Sequence, residues 1–219
     1  MFLGFYNYTV ILTYIGLGSA VCGMFEAMER DYKTAVLCLL ICGLCDMFDG
    51  TIARTCKKRS PEARCFGTQI DSLCDLVCFG VFPAMLGYSL CPVNLYSIVC
   101  MVFYVLAAVI RLAYFNVQEI CRTEGKREFY EGMPVTSSAL IMPIVALITT
   151  INRVTWAFLY PTCLLGLGLL FILRFRVRKP YLKGLTCMVA IGLITLFLVL
   201  RYGGEITCLK TIMELPTNV

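Results

Sequence analysis

The chain has 219 residues, of which 59% are hydrophobic and 15% charged, with a formal net charge of +5 and a mean hydropathy of +0.81. Soluble domains run about 45–50% apolar and about 25% charged, so a soluble fold is excluded, as are disordered, collagen-like and low-complexity chains. An integral membrane protein remains, and apolar runs of helical length exclude a β-barrel of short alternating strands.

Seven stretches approach the roughly 20 residues that cross a bilayer: 7–27, 33–53, 68–90, 93–115, 133–151, 154–173 and 184–202. They predict an all-α, polytopic helical bundle of about seven transmembrane helices forming one domain over residues 1–219. The first stretch has no charged flank or cleavage-like end and does not read as a signal peptide. In the first helix Gly16 and Gly18 read as close-packing points, as do Gly166 and Gly168 in the sixth. Tyr6, Tyr8, Tyr88, Tyr96, Trp156, Tyr160 and Tyr202 fall near span ends, where an interfacial belt is expected.

Basic residues set the orientation. Arg54, Lys57, Lys58, Arg59 and Arg64 lie between the second and third stretches. Arg111, Arg122, Lys126 and Arg127 lie around the fourth connection, and Arg174, Arg176, Arg178, Lys179 and Lys183 around the sixth. These fourteen of nineteen basic residues place that face, and the N-terminus, in the cytoplasm. The same face would attract anionic headgroups or a phosphorylated substrate. No basic, aromatic-interleaved module suggests nucleic-acid binding.

The fourteen Cys are scattered through apolar runs and read as small hydrophobes. Cys42 and Cys45 form a CxxC with no second pair. The absence of His removes Ser-His-Asp, Cys-His and HExxH sites. Acid–base chemistry falls to Asp, Glu, Lys, Tyr or Cys.

The second and third stretches carry that chemistry. Asp46 and Asp49 are spaced i,i+3, and Asp71 and Asp75 i,i+4, so each pair lies on one face of its helix. The first pair is expected to end helix 2 and the second to begin helix 3. A short loop between the two helices would bring all four carboxylates together at their cytoplasmic ends. Four carboxylates in an apolar setting need compensation, and a carboxylate-only ligand set suits Mg²⁺, Mn²⁺ or Ca²⁺. Beside a basic loop, that points to phosphoryl or pyrophosphate chemistry. Gly50 and Ala53 give a small strip on the Asp46 face, and Arg54 follows where it would grip a phosphate.

At these residues the sequence resembles the CDP-alcohol phosphotransferase family, whose signature is D-x2-D-G-x2-A-R, a spacer, then G-x3-D-x3-D. Asp46, Asp49, Gly50, Ala53, Arg54, Gly67, Asp71 and Asp75 occupy its fixed positions. Twelve residues, 55–66, form the spacer where about eight are usual. Its polar KKRSPEAR segment is expected to extend the loop and leave each half of the motif intact.

The resemblance implies a six-helix core plus an extra helix, with the active site at the cytoplasmic ends of helices 2 and 3. It implies two divalent ions, Mg²⁺ or Mn²⁺. It further implies attack of an alcohol on the β-phosphorus of a CDP-linked lipid with release of CMP. Asp46, Asp49 and Asp71 would hold the metals, and Asp75 would share one and act as general base. Asp46, Gly50, Ala53, Arg54 and Gly67 would form the nucleotide site, with Thr13 in the first helix beside it.

After Asp75 the run D-S-x2-D-x3-F-G-x2-P-A is similar to the phosphatidylserine synthase branch. So are Arg111-Leu-Ala-Tyr-Phe-Asn116 and Tyr130-Glu131-Gly132-Met133-Pro134 and, more weakly, the stretch 174–180. This implies CDP-diacylglycerol and L-serine as substrates, membrane lipids as surroundings and a homodimer in the cell membrane. Arg111 and Asn116 would meet the serine carboxylate or a phosphate, and Glu131 the ammonium. A sibling enzyme using glycerol phosphate or inositol phosphate, which would want a denser cationic pocket, is the alternative. A cation transporter is a distant one, because the Asp sit at one edge and the other helices are apolar through their middles.

Overall fold

The structure, a computed structural model, describes residue 4 and residues 10–55, 60–120, 129–151, 158–178 and 190–201. Each of the seven predicted stretches contains a helix. In order these are α1 (Ile11–Met28), α2 (Tyr32–Thr55), α3 (Pro61–Asp75) running through a π-helical turn (Leu76–Val81) into α4 (Phe82–Leu90), α5 (Leu95–Ile120), α6 (Ser138–Ile151), α7 (Leu159–Ile172) and α8 (Ala190–Arg201). Among the described residues three helices are long and apolar enough to cross a membrane: Ile11–Met28, Cys65–Leu90 and Leu95–Gln118. Two three-residue strands, β1 (Phe129–Glu131) and β2 (Arg176–Arg178), pair antiparallel, with Tyr130 opposite Val177. Neither strand is expected from the sequence, and Glu131 lies in β1.

α1 and α2 pack through a stripe of small residues. The buried positions of α1 are Thr13, Gly16, Ala20, Gly23 and Ala27, one helical face. A Cβ on Gly23 would fall 2.7 Å from the Cβ of Cys38 and 2.4 Å from the Phe82 ring, so only glycine lets the helices approach there. A Cβ on Gly16 would meet that of Cys45 at 3.3 Å, and one on Gly168 the Phe103 ring at 3.0 Å. Gly18 and Gly166 face open space and are not packing points.

The turn between α1 and α2 is closed at both ends. Arg30 takes φ +63°, and the amides of Arg30 and Asp31 donate to Ala27 and Glu26. Asp31 then caps α2, accepting from the Thr34 amide at 3.2 Å and hydroxyl at 2.7 Å.

The expected polar loop between the second and third helices is partly helical. Ser60 accepts from the Ala63 amide at 3.2 Å, with Pro61 in the first turn, so α3 begins at Pro61 and takes in residues 61–64. A serine cap followed by proline is a strong helix start.

Pro83 explains the π-helical turn. It has no N–H, and its ring would collide with the carbonyl four residues earlier, that of Phe79. The helix widens instead, and the amide of Phe82 reaches back to Val77. The buried Phe79 carbonyl receives the hydroxyls of Tyr104 from α5 and Ser138 from α6, the latter at 3.2 Å. Tyr160, read as an interfacial tyrosine, is fully buried, and its hydroxyl donates to the Pro83 carbonyl at 3.0 Å. Tyr88 and Tyr96 are exposed, as a belt requires; Tyr6, Tyr8, Trp156 and Tyr202 lie outside the described residues.

Tyr104→Phe is expected to cost about 1 kcal/mol, and the double variant with Ser138→Ala about 3 kcal/mol, because only the double change leaves the carbonyl without a donor. Thermal unfolding in detergent measures both; equal losses for the single and double variants would refute this account.

Candidate active site

The four predicted aspartates meet across α2 and α3. Carboxylate oxygens of Asp46, Asp49 and Asp71 all lie within 4.8 Å of one another. Asp75 lies beside Asp46, and Asp71 beside Asp49. Asp49 is buried at 8% exposure, and the other three are half-buried.

The helices run on past the cluster. α2 continues for six residues beyond Asp49, and α3 starts ten residues before Asp71. At 1.5 Å per residue, the carboxylates sit about 9 Å and about 15 Å from those helix ends, not at them as expected. Ser60 and Pro61 extend α3, and no breaker stops α2 at Gly50.

The cluster can hold a cation. Its ligand atoms are all oxygen, and oxygens on opposite sides of one ion lie about 4.2 Å apart for Mg²⁺ and about 5 Å for Ca²⁺, twice the usual bond lengths. Without a cation or shared protons, the two close carboxyl pairs would be held together against their own repulsion. The donor set therefore fits a hard divalent ion.

Thr13 reaches this cluster from α1. The residue is 9% exposed, and its hydroxyl donates to Asp49 Oδ2 at 3.2 Å. Thr13 is the first buried residue of the small stripe, so the packing of α1 on α2 delivers the hydroxyl to the carboxylate. A polar group that orients a ligand commonly changes metal affinity by about 10–100-fold. Thr13→Val is accordingly expected to raise the half-saturating Mg²⁺ or Mn²⁺ concentration about tenfold, as read by the metal-dependent rise in unfolding temperature; an unchanged midpoint would limit Thr13 to packing.

The other predicted residues are placed as follows. Gly67 is in α3, one turn before Asp71. Gly50, Ala53 and Arg54 lie in the last turns of α2, but their side chains, like that of Glu131 in β1, are outside the described part. Asn116 on α5 accepts from the Ser72 hydroxyl at 2.8 Å, which ties α5 to α3 between Asp71 and Asp75. Sequence reasoning missed Ser72, a buried polar residue flanked by the aspartates; its position between them was the available signal. Arg111 is buried on α5, and its Nε donates to the Met133 carbonyl at 3.2 Å.

The CxxC cysteines serve packing. The Cys42 thiol donates to the Gly16 carbonyl at 3.2 Å and hydrogen-bonds with Cys78, and every described cysteine is a free thiol.

One further feature adjoins the carboxylates. A groove of about 360 Å³ runs between α2, α6 and α8, with Asp46 and Met47 at one end and Leu37, Leu40, Gly43 and Leu193 along it. Its walls are almost wholly apolar. A Cβ on Gly43 would lie 2.8 Å from that of Ala139, so glycine there brings α2 and α6 close behind the groove.

Comparison with known proteins identifies a family. Residues 6–172 match the family model for CDP-alcohol phosphatidyltransferase. The chain is 29% identical over 174 residues to a CDP-diacylglycerol–serine O-phosphatidyltransferase of Bacillus subtilis, covering 77% of this chain and 89% of the relative. It is 29% identical over 179 residues to the protein of that name in Mycobacterium leprae, covering 78% and 57%. It is 30% identical over 131 residues to an archaetidylserine synthase of Methanothermobacter thermautotrophicus, covering 59% and 53%. The chain thus spans most of the first relative and a little over half of each of the other two.

Proposed function

Since the chain belongs to the CDP-alcohol phosphatidyltransferase family, we propose that it transfers a phosphatidyl group from CDP-diacylglycerol to the hydroxyl of L-serine, giving phosphatidylserine and CMP. The observation that carries this reading is the convergence of Asp46, Asp49, Asp71 and Asp75 at one end of an apolar groove. A lipid pyrophosphate needs both: charge compensation for its headgroup and an apolar path for an acyl chain. The names of the relatives favour serine over glycerol phosphate or inositol phosphate as acceptor.

In this mechanism Asp46, Asp49 and Asp71, with Asp75 sharing, would hold two divalent ions. Bound there, Mg²⁺ or Mn²⁺ would neutralise the pyrophosphate and the departing CMP. Thr13 holds the Asp49 carboxylate in its rotamer. Gly50, Ala53, Arg54 and Gly67 border the nucleotide. Asp75 accepts the proton of the serine hydroxyl. The serine oxygen bonds to the β-phosphorus, and the bond from that phosphorus to the CMP oxygen breaks. Arg111 receives the serine carboxylate in a charge-assisted contact, with Asn116 and Glu131 completing the acceptor side.

The groove beside Asp46 takes one acyl chain, which leaves the reacting phosphate at the carboxylates. About seven helices cross the cell membrane as one domain, with the aspartate end toward the cytoplasm, where soluble serine arrives. The outward apolar face of α5, including Val99, Val102 and Leu106, meets lipid or a second copy in a homodimer.

The test is CMP release by the purified protein with CDP-diacylglycerol and each acceptor in turn, with Mg²⁺ or Mn²⁺ present. Release with serine supports the reading. Release only with glycerol phosphate or inositol phosphate keeps the site and overturns the acceptor. Ion flux into vesicles without CMP release would favour the transporter.

A further inference from the structure

Three successive residues leading into α6 carry hydroxyls: Thr136, Ser137 and Ser138. Two of them are committed to main-chain carbonyls. Ser137 donates to Pro134 at 2.7 Å, and Ser138 to Phe79 at 3.2 Å. The Thr136 hydroxyl has no partner among the described residues. Thr136 lines the groove between α2, α6 and α8. Of the residues along that groove only Asp46 and Thr136 carry a side-chain oxygen; the others are Leu, Ile, Met, Ala and Gly.

The two polar residues share one end of the groove. Tyr32 and Val36, at the start of α2, line a small cavity with Pro143 and Ala146, and Gly43 lies against Ala139. The two helices therefore run antiparallel. Asp46 is one turn beyond Gly43, and Thr136 one turn before Ala139, which sets them level. From that end the groove follows α2 back to Leu37. The nine residues between those positions rise about 13.5 Å, close to half of a hydrocarbon core about 30 Å thick. The groove thus matches one leaflet in depth. A lipid chain that fills it has its headgroup end beside Thr136, and that is where a diacyl lipid carries its ester carbonyls.

We propose that Thr136 is a specificity residue for the donor lipid: its hydroxyl donates to an ester carbonyl of the acyl chain seated in the groove. The protein thereby selects ester-linked over ether-linked CDP-lipids. This rests on the reading of the groove as the acyl-chain site of a CDP-diacylglycerol transferase. An ether-linked lipid has no carbonyl at that point, so with such a donor the hydroxyl is left unpaired in an apolar wall. Thr136 binds the lipid away from the reacting phosphorus.

The experiment is CMP release by the purified full-length protein, with Mn²⁺ and a saturating amount of the acceptor that gives turnover. Two donors of the same stereochemistry and chain length are each varied in mixed micelles: CDP-dipalmitoylglycerol and its dihexadecyl ether counterpart. Wild type is expected to favour the ester donor in kcat/KM by about fivefold, the size of one uncharged hydrogen bond. Thr136→Val keeps the shape of the side chain and removes the hydroxyl. It is expected to lower kcat/KM about fivefold for the ester donor and to leave the ether donor within about twofold, so the preference vanishes. Thr136→Ser keeps the hydroxyl and should keep the preference. Equal use of the two donors by wild type would overturn the ester contact, and that comparison decides the matter alone if Thr136→Val does not fold. Equal losses with both donors in Thr136→Val would also overturn it, leaving Thr136 a packing residue or a phosphate contact. CMP release with neither donor, whatever the acceptor, would instead overturn the donor reading beneath it.

Discussion

Asp75→Asn is expected to lower kcat for serine-dependent CMP release by about 10²–10⁴-fold, the range associated with loss of a positioned general base. Asparagine keeps the shape and an acceptor oxygen but cannot take the hydroxyl proton. Asp75 is half-buried beside Asp46, on the last residue of α3 before the π-helical turn. A ligand role and a base role separate by titration. If Asp75 only holds metal, a high concentration of Mn²⁺ restores the variant. If it accepts the proton, saturating metal leaves the loss in place. The pH profile gives a second reading. A base must be ionised to act, so wild-type kcat/KM falls toward acid as Asp75 gains a proton. At saturating Mn²⁺, where metal keeps the other three carboxylates ionised, the residual activity of Asp75→Asn should lose that acidic limb. A variant that is fully restored by metal, or that keeps the limb, would remove Asp75 from the proton transfer.

Removal of divalent ions is expected to abolish CMP release, and Mg²⁺ or Mn²⁺ to restore it. Asp46, Asp49 and Asp71 place oxygens within 4.8 Å of one another, a separation that serves one hard cation and is costly without one. Asp71→Asn and Asp49→Asn should each raise the half-saturating metal concentration by at least about tenfold, in line with the 10–100-fold that even outer-shell partners command. Stability supplies a readout independent of turnover. An ion that binds only the folded protein stabilises it by about 2.7 kcal/mol at 100 times its Kd, so Mn²⁺ should raise the unfolding temperature of wild type and leave Asp71→Asn nearly unmoved. Full CMP release in chelator, or equal thermal shifts in wild type and variant, would disprove the cation site.

The two effects depend on a site whose parts differ in how readable they were. The aspartates were legible because their spacing is a property of each helix alone. Positions three or four apart share a face whatever the helix packs against, and a short connection leaves α2 and α3 few ways to avoid meeting. The length of α3 was missed although its signal was present: Ser60 and Pro61 form a cap and first turn, and the polar character of residues 57–64 hid it. The π-helical turn was likewise within reach, since Pro83 deprives the Phe79 carbonyl of its donor. What satisfies that carbonyl was not, because Tyr104 lies 25 residues away and Ser138 59. Tyr160 shows the same limit. Its place near a span end suggested the interface, but its hydroxyl serves the Pro83 carbonyl 77 residues distant.

Composition and local period by themselves determined that this is a helical membrane protein with two carboxylate pairs on two adjoining helices, because hydropathy and the 3.6-residue repeat act within one segment. Only the tertiary structure decided that Thr13 holds Asp49 across 36 residues, that Arg111 is tied to Met133 across 22, and that an apolar groove opens beside Asp46 between α2, α6 and α8. Each of those depends on how closely helices approach. That distance is set by residues such as Gly23 and Gly43, whose lack of a side chain lets partners on other helices come close, and no single segment specifies those partners.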